Sequence, residues 1–120
     1  MAGFEVWDVV RVPFPYTDRP VRQWRPAVIV AAGPLAAAHG LLWVLMVTSA
    51  ENRSWPEDVA VSDIEAAGLP VPSVVRTAKI ATIESGKAER IGKLPRADRK
   101  KIAAQLEKVL GSVRSGAAAK

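Results

Sequence analysis

Cationic and hydroxyl side chains stand at the ends of several predicted strands in this sequence. They are Arg25, Thr48, Ser49, Arg76 and Lys79, and the loop that precedes Arg25 adds Asp18, Arg19 and Arg22. An arginine guanidinium presents a fixed fork of donors that matches phosphate oxygens, and a threonine hydroxyl adds a neutral donor or acceptor. Such a group can serve a metal-free reaction if the substrate carries its own nucleophile, as RNA does in the 2′-hydroxyl beside each phosphate. The protein would then align that hydroxyl, stabilise the charge that develops on phosphorus and protonate the leaving 5′-oxygen.

A purely structural interpretation of the same residues is equally open. In that interpretation Arg25 and Arg76 are partners in surface salt bridges, and Thr48 only ends a strand. Exposed ion pairs of this kind are common and contribute little stability. The residue types alone therefore favour neither interpretation over the other.

The residues that most other chemistries require are missing or isolated. The chain has no cysteine, which excludes a disulfide framework, a thiolate nucleophile and a cysteine-ligated metal. His39 is the single histidine and lies in an alanine-rich stretch away from any serine motif, so it does not indicate a catalytic triad. No P-loop and no GxGxxG pattern supports a nucleotide cofactor. The carboxylates of Glu57, Asp58, Asp63 and Glu65 suit local turns better than metal ligands, so we expect neither a cofactor nor a metal ion.

Length and composition predict one soluble domain with an anionic partner. The chain has 120 residues, enough to bury a core. Its formal net charge of +5 points weakly to a nucleic acid or an acidic peptide. No targeting signal is visible, and the longest apolar runs, Pro26–Ala38 and Leu41–Val47, are too short to span a membrane. We therefore expect a cytoplasmic protein, with one domain over residues 1–111 and a flexible tail over residues 112–120.

The stretch Trp7–Val30 must position the first arginine. It reads as a valine-rich strand, a loop over residues 13–24 and a second strand rich in valine and isoleucine. Prolines remove backbone donors and fix φ, so the first strand is expected to stop before Pro13–Pro15. A residue before proline is held in extended geometry, so we expect Arg25, which precedes Pro26, to leave the strand end in a defined direction.

Three further segments are predicted to form strands. They are Leu41–Val47, Asp58–Val61 and Ser73–Ile83, the last with a bend near Ala78 and with Val75, Ile80 and Ile83 in the core. Residues 32–40 are predicted as a loop, with at most a helical turn, and residues 84–90 as a turn-rich connection. Ser62, with Glu65 three residues later, matches a capping box and predicts the start of a helix.

The clearest helix covers Pro95–Leu110. Ile102, Leu106 and Leu110 form an apolar stripe at helical spacing, and Gly111 suits the stop. Five or six short strands followed by a terminal helix predict a mainly β fold, a small β-barrel with a C-terminal α-helix packed on it.

A set of short motifs follows in order over nearly the whole chain. The set comprises Asp8-Val9-Val10, Val12–Asp18, Arg25–Val30, Val47-Thr48-Ser49, Gly68-Leu69, Pro72–Arg76, Lys79-Ile80, Thr82-Ile83 and Ile91–Leu94. Together these motifs resemble the MazF/PemK-type toxins of bacterial type II toxin–antitoxin systems.

The resemblance implies both a fold and an activity. The fold is a homodimeric SH3-like small β-barrel, related to the gyrase-poisoning CcdB toxins. The activity is that of a sequence-selective endoribonuclease (an mRNA interferase), which cleaves single-stranded RNA without a metal ion and leaves 2′,3′-cyclic phosphate and 5′-hydroxyl ends. The catalytic arginine of the family falls on Arg25 and its catalytic threonine on Thr48. The loop Pro15–Trp24 corresponds to the mobile loop that gates the RNA groove, where antitoxin segments compete.

Further residues are candidate RNA contacts in this interpretation. They are Arg22, Trp24, Ser49, Arg76 and Lys79. For Trp24, stacking on a base and anchoring the loop are both open. The inhibitor is expected to be an antitoxin whose acidic and apolar tail folds onto the basic groove.

Two positions depart from the family pattern. Trp7 stands where the family usually has glycine, and Ala78 stands near a position where some members carry an aspartate proposed to help proton transfer. The general base is therefore unassigned. Two other functions stay open: a non-catalytic CcdB-like toxin that poisons DNA gyrase, and an RNA-binding barrel without turnover.

Overall fold

Six strands and two helices follow one another in the computed structural model, which describes residues 3–14 and 23–115. The strands are β1 (Asp8–Phe14), β2 (Gln23–Ala31), β3 (Leu41–Ser49), β4 (Asp58–Ala60), β5 (Ser73–Glu84) and β6 (Glu89–Lys93). The helices are α1 (Gly33–His39) and α2 (Arg96–Ser115), and a short 3-10 turn occupies Ser85–Lys87. Most of the predicted gating loop, with Asp18, Arg19 and Arg22, lies outside the described residues.

The strands form one antiparallel sheet in the order β4-β5-β3-β2-β1-β6. Because β2 and β3 run in opposite directions, the start of β2 and the end of β3 lie side by side, where both strands reach the same end of the sheet. Toward that end, the last paired residues of the two strands are Ala27 and Met46. Past this point Arg25 stays paired with β1, whereas Thr48 stays paired with β5. The two strands therefore part where the candidate catalytic residues stand.

Apolar side chains are buried on both faces of the sheet, because successive strand residues point to opposite sides. One cluster contains Val9, Val28, Leu45, Val47, Val59, Ala67, Leu69, Val75, Leu94 and Ile102. The other contains Val10, Val12, Ala27, Ile29, Ala32, Leu42, Val44, Met46 and Ile83. Burial on both sides accounts for the continuous apolar run in β3.

The turn formed by residues 62–69 joins the two edges of the sheet. It follows β4, yet its Ala66 carbonyl accepts a hydrogen bond from the Lys93 N–H of β6, at 3.0 Å. Gly68 has a φ of +74°, and a Cβ added there would lie 1.9 Å from the carbonyl oxygen of Ile91. Asp98, in the first turn of α2, accepts hydrogen bonds from the backbone and the hydroxyl of Ser62, at 2.8 and 3.1 Å. These contacts give the open sheet the curvature of a small barrel.

Trp7 adopts a backbone conformation that favours glycine. Its φ is +79°, in the left-handed region, which costs about 1–2 kcal/mol for a residue with a Cβ. The Trp7 N–H donates to Ile29, and the Trp7 carbonyl accepts from Leu94, at 2.8 and 2.9 Å. Its ring also packs against the first apolar cluster. These contacts hold Trp7 in this conformation. The positive φ itself explains why glycine is the expected residue here.

Pro13 does not end the first strand, contrary to the prediction from sequence. β1 continues to Phe14, and Pro13 pairs with Trp24. β6 pairs with β1 between Asp8 and Arg11. Beyond Arg11, β1 is therefore an edge strand, where the missing N–H of proline is tolerated. β2 likewise begins at Gln23, within the predicted loop.

The predicted helix start at Ser62 is also wrong. The Ser62 hydroxyl is bonded to Asp98, as described above, and the carboxylate of Asp63 instead accepts a hydrogen bond from the Ala66 N–H, at 3.2 Å. The segment makes one turn and ends at Gly68, because that glycine must approach the backbone of β6.

The predicted bend near Ala78 is confirmed as a bulge in β5. Leu45 pairs with Ile80, whereas its neighbour Met46 pairs with Arg76. Val75 and Ile83 are buried as predicted, but Ile80 is 52% exposed. Val75, which precedes the bulge, belongs to the first cluster, and Ile80 follows the bulge on the solvent side.

Both helices are longer than the sequence indicated. Residues 33–39 form α1, which Gly40 ends in a left-handed conformation. The terminal helix does not stop at Gly111 but continues to Ser115, so residues 112–115 of the predicted tail are helical. Glycine inside a helix costs about 0.5–1 kcal/mol, yet it keeps its N–H and does not break the hydrogen-bond ladder. Ile102 is buried as the stripe predicts, whereas Leu110 is 50% exposed.

Candidate active site

Arg25 lies near the start of β2, where this strand has separated from β3. It is exposed, and its Nη2 donates a hydrogen bond to the Gln23 side chain at 3.2 Å. Pro26 follows it, and both residues remain in the extended strand. The guanidinium is thus held near the strand end with donors available to a ligand.

Thr48 and Ser49 end β3 on the opposite side of the gap. Both are half-buried, and both pair with β5 rather than with β2. Oγ of Ser49 accepts a hydrogen bond from the Glu51 N–H at 3.2 Å, which shapes the following turn. Oγ1 of Thr48 accepts a hydrogen bond from Nδ2 of Asn52 at 2.5 Å. The hydroxyl of Thr48 is therefore held at the mouth of the gap.

The gap between β2 and β3 forms a cleft of about 540 Å³. Its lining comprises Gln23, Trp24, Arg25, Pro26, Val47, Thr48, Ser49, Asn52, Leu69, Pro70, Val71 and Ser73. Four of the predicted site residues, Trp24, Arg25, Thr48 and Ser49, are thereby brought to one place. A cationic fork faces hydroxyl groups across an open cavity, an arrangement that can hold a phosphate group.

Trp24 separates this cleft from a second, smaller cavity. It is 49% exposed, and the Arg11 guanidinium lies over its ring at 4.9 Å from the centroid. Arg11 is held in turn by Glu89, at 2.7 Å. The second cavity, of about 190 Å³, is lined by Pro13, Trp24, Gly86, Lys87 and Glu89. The ring is thus fixed by a cation and still offers surface to a ligand.

Arg76 lies apart from the cleft, and its guanidinium is already engaged. It forms an ion pair with Asp58 at 3.0 Å and donates to the Arg53 carbonyl at 2.6 Å. It also lies 4.2 Å from the centroid of the Trp55 ring. Burial alone would raise the pKa of Asp58, but hydrogen bonds from Arg76 and from the Trp55 N–H outweigh it, so the pKa lies below its ordinary value. This arrangement gives Arg76 a scaffolding role.

Of the other two predicted contacts, Lys79 is described and is not among the residues that line the cleft. Lys79 is exposed within the β5 bulge. Arg22 lies outside the described residues. Their contacts with RNA stay predictions.

Sequence reasoning missed two side chains that touch the candidate catalytic pair. Gln23 bonds Arg25, and Asn52 bonds Thr48. The signal for Asn52 was present in outline, since an asparagine in a turn four residues after a strand-end threonine can reach back to it. Gln23 adjoins the loop and carried no comparable signal.

A metal-binding group or a membrane-spanning helix would change the kind of function to expect. Within residues 3–14 and 23–115, no three histidine, cysteine, aspartate or glutamate side chains form a group suited to hold a metal ion. Neither helix of the described chain combines the length and the apolar character that a membrane crossing demands.

Comparisons with known proteins agree with the fold and with the motifs. A model of the PemK-like, MazF-like toxins of type II toxin–antitoxin systems matches residues 5–110. A MazE–MazF complex from Deinococcus radiodurans has a similar structure, with a TM-score of 0.70 and 21% identity over 92% of this chain and 98% of that chain. A mycobacterial endoribonuclease bound to its cognate antitoxin gives a TM-score of 0.67 and 22% identity over 88% and 93%. The Mycobacterium tuberculosis toxin MazF-mt6 gives 0.64 and 19% over 85% and 95%. Among curated proteins, none matches the chain.

At these identities the solved structures establish a shared fold, and the predicted small barrel of the MazF type, with its C-terminal helix, is confirmed. The family model adds a match through nearly the whole sequence, including both walls of the cleft. The chain therefore belongs to the PemK-like, MazF-like toxins of type II toxin–antitoxin systems.

Proposed function

We propose that this toxin is a sequence-selective endoribonuclease that cleaves single-stranded RNA without a metal ion. The observation that carries the proposal is the presence of Arg25 and Thr48 in one open cleft, on strands that part between them. A toxin that acted only by docking its helix on a protein would not need this pair. The family resemblance assigns the catalytic roles to the same two residues.

The chemistry follows from the side chains present. Arg25 binds the non-bridging oxygens of the scissile phosphate and stabilises the additional negative charge of the phosphorane. Thr48 forms a hydrogen bond with the same reacting group. The 2′-oxygen attacks phosphorus as its proton leaves to water, the bond from phosphorus to the 5′-oxygen breaks, and that oxygen takes up a proton. The products are a 2′,3′-cyclic phosphate and a 5′-hydroxyl, and no oxidant or second substrate is consumed.

Trp24 is the residue we propose for contact with a base next to the cleaved bond. Single-stranded RNA exposes its bases, and an aromatic ring that is accessible on a cleft wall can stack on one of them. The Arg11 guanidinium covers part of the ring and holds it, while the cavities on either side leave room for flanking nucleotides.

The proposed partners are a cognate antitoxin and a second copy of the chain. Two of the similar structures contain a toxin with its antitoxin. A net charge of +5 suits an acidic antitoxin tail that competes with RNA for the cleft. Exposed apolar side chains on α2, including Val109, Leu110 and Val113, provide surface for association into a homodimer. Cleavage of mRNA places the proposed activity in the cytoplasm.

The test is incubation of the purified protein with a mixed-sequence RNA in EDTA. We expect fragments with cyclic-phosphate and 5′-hydroxyl ends. Arg25→Ala should lower the cleavage rate by about 100-fold or more with the fold retained, while Arg96→Ala, an exposed arginine of α2, should leave it unchanged. Turnover by Arg25→Ala at the wild-type rate would remove Arg25 from this role. Intact RNA combined with inhibition of DNA gyrase would favour the CcdB-like alternative, and bound but uncleaved RNA would indicate an RNA-binding barrel.

A further inference from the structure

The hydroxyl of Thr48 accepts a hydrogen bond from a neighbouring side-chain amide. Nδ2 of Asn52 donates to Oγ1 of Thr48 at 2.5 Å, and Asn52 lines the same cleft. A threonine hydroxyl has one proton to donate and two lone pairs that accept. Because the amide N–H occupies a lone pair, the proton of Thr48 is directed elsewhere.

Asn52 lies in the β3–β4 loop (residues 50–57), which several hydrogen bonds hold in place. The Asn52 N–H donates to the Ser49 carbonyl at 3.0 Å. The next residue, Arg53, is fixed by its carbonyl, which accepts from the Arg76 guanidinium at 2.6 Å. Farther along the loop, the Glu57 carbonyl accepts from the Thr77 hydroxyl at 2.8 Å. The amide of Asn52 is therefore presented to Thr48 by a loop that β5 fastens at two points.

The same contacts connect Arg76 to the candidate site. Its ion pair with Asp58 and its position over Trp55 hold the guanidinium where it can reach the Arg53 carbonyl. The order of contacts runs from Arg76 to the loop backbone and from the loop to Thr48. Arg76, which does not line the cleft, is thus connected to Thr48 through the β3–β4 loop.

We propose that Asn52 is a positioning residue that fixes Thr48 as a hydrogen-bond donor to the scissile phosphate, an inference that rests on the endoribonuclease function proposed above. With one of its two lone pairs engaged by Asn52, the Thr48 hydroxyl turns its proton away from the amide, and we assign that proton to a non-bridging oxygen of the phosphate. A hydroxyl that accepts one hydrogen bond also donates a stronger one, because linked hydrogen bonds polarise each other. The assignment decides between two roles for Thr48, phosphate donor and acceptor for the nucleophile, in favour of the first.

A double-mutant cycle tests the proposal with single-turnover cleavage of an RNA oligonucleotide. Asn52→Ala should slow cleavage by about tenfold, the value of one lost hydrogen bond, with a smaller effect on RNA affinity. In a Thr48→Val background the same change should have no further effect, because Asn52 acts through Thr48. An unchanged rate for Asn52→Ala would overturn the inference. So would an equal loss in both backgrounds, since Asn52 would then contact RNA directly.

The substitution Asn52→Asp supplies a readout that a purely structural role would not move. An ionised carboxylate accepts the Thr48 proton and reverses the direction of the hydrogen bond. The cleavage rate of Asn52→Asp relative to the wild type should therefore be low at neutral pH and rise as the pH is lowered from about 6 to about 3.5, where the carboxyl takes up a proton. A ratio that stays constant over this range would contradict the assigned direction.

A spectroscopic measurement separates failure of the inference from failure of the proposed function. In the wild-type protein, one Nδ2 proton of Asn52 should resonate downfield and exchange slowly, and both features should be lost in Thr48→Val and kept in Arg96→Ala. A wild-type protein that cleaves RNA but lacks these features would overturn the positioning role alone. A wild-type protein that leaves RNA intact would overturn both proposals, even with the hydrogen bond present.

Discussion

Arg76 and Asp58 form an ion pair in which both side chains are largely buried, with 3.0 Å between Nη2 and Oδ2 and exposed fractions of 13% and 6%. Nε of Arg76 makes a second contact, to Oδ1 at 3.2 Å. This two-point geometry joins β5 to β4, and Nη2, which carries two N–H groups, also donates to the Arg53 carbonyl. The pair is therefore both part of the barrel and the support of the loop that carries Asn52.

Removal of one member of this pair should destabilise the protein strongly. Asp58→Ala leaves the Arg76 charge in a largely buried site without its partner, and we expect a loss of about 3–5 kcal/mol in the free energy of unfolding. Urea denaturation measures the change. Lys87→Ala, which removes an exposed ion pair with Glu84 at 3.8 Å, is the control and should stay within about 0.5 kcal/mol. A comparable effect of the two substitutions would show that burial does not matter here.

The same pair should make stability depend on pH in the acid range. The pKa of Asp58 is lower in the folded protein than its ordinary value of 3.8, because Arg76 and the Trp55 N–H overcome the cost of burial. A lowered pKa means that the stabilisation is complete above the unfolded value and is lost as the pH falls through the folded value. The difference in unfolding free energy between the wild type and Asp58→Asn should therefore be constant near neutrality and shrink below about pH 4. A difference that widens on acidification would reverse the sign of the shift.

Gly68 should tolerate no side chain. Its φ of +74° disfavours any residue with a Cβ, and an added Cβ would lie 1.9 Å from a backbone oxygen of β6. We expect Gly68→Ala to cost at least about 2 kcal/mol of unfolding free energy, measured by thermal or urea denaturation. Gly86→Ala, where a Cβ meets no atom within 4 Å, is the matched control. Equal stability of the two variants would show that the turn does not pack on β6 as described.

Trp24 should contribute to RNA affinity through its ring. Trp24→Ala is expected to weaken binding of an RNA with a 2′-deoxy nucleotide at the cleavage site by about 1–3 kcal/mol, whereas Trp24→Phe should retain most of the affinity. Trp43, 45% exposed but not part of the cleft lining, supplies the control Trp43→Ala. Fluorescence anisotropy of labelled RNA measures all three. Equal affinities for Trp24→Ala and the wild type would limit Trp24 to anchoring the chain.

Much of the fold followed from local patterns in the sequence. The β-branched segments around Val9 and Val28 and the apolar run of β3 form strands as expected, because their side chains fill two clusters on opposite faces. The bend near Ala78 also followed from sequence. The errors at Pro13, Ser62 and Ile80 share one cause. Each depends on which strand or turn lies next to the residue, and that information is absent from a local pattern.

The candidate site was predictable in part for the same reason. Arg25 and Thr48 could be placed at strand ends, and antiparallel pairing of neighbouring strands brings such ends together. Arg76 has the same residue type as Arg25 and an equally strand-like context, yet its charge is engaged by Asp58. Only the pairing of β4 with β5 makes that distinction, because it sets Asp58 opposite Arg76.

The parting of β2 and β3 beyond Ala27 and Met46 leaves the two walls of the cleft, one carrying Arg25 and the other Thr48, without ladder pairing to each other. One wall belongs to the β1–β2 ladder and the other to the β3–β5 ladder, and within the described chain the pairing of β2 with β3 stops short of Arg25 and Thr48. A change of twist in either ladder would alter the distance between the two walls. Arg25 would stay on the β1–β2 ladder and Thr48 on the β3–β5 ladder. In the proposed endoribonuclease, the spacing of the walls, and with it the nucleotide sequence that fits between them, could therefore change while Arg25 and Thr48 keep their proposed roles.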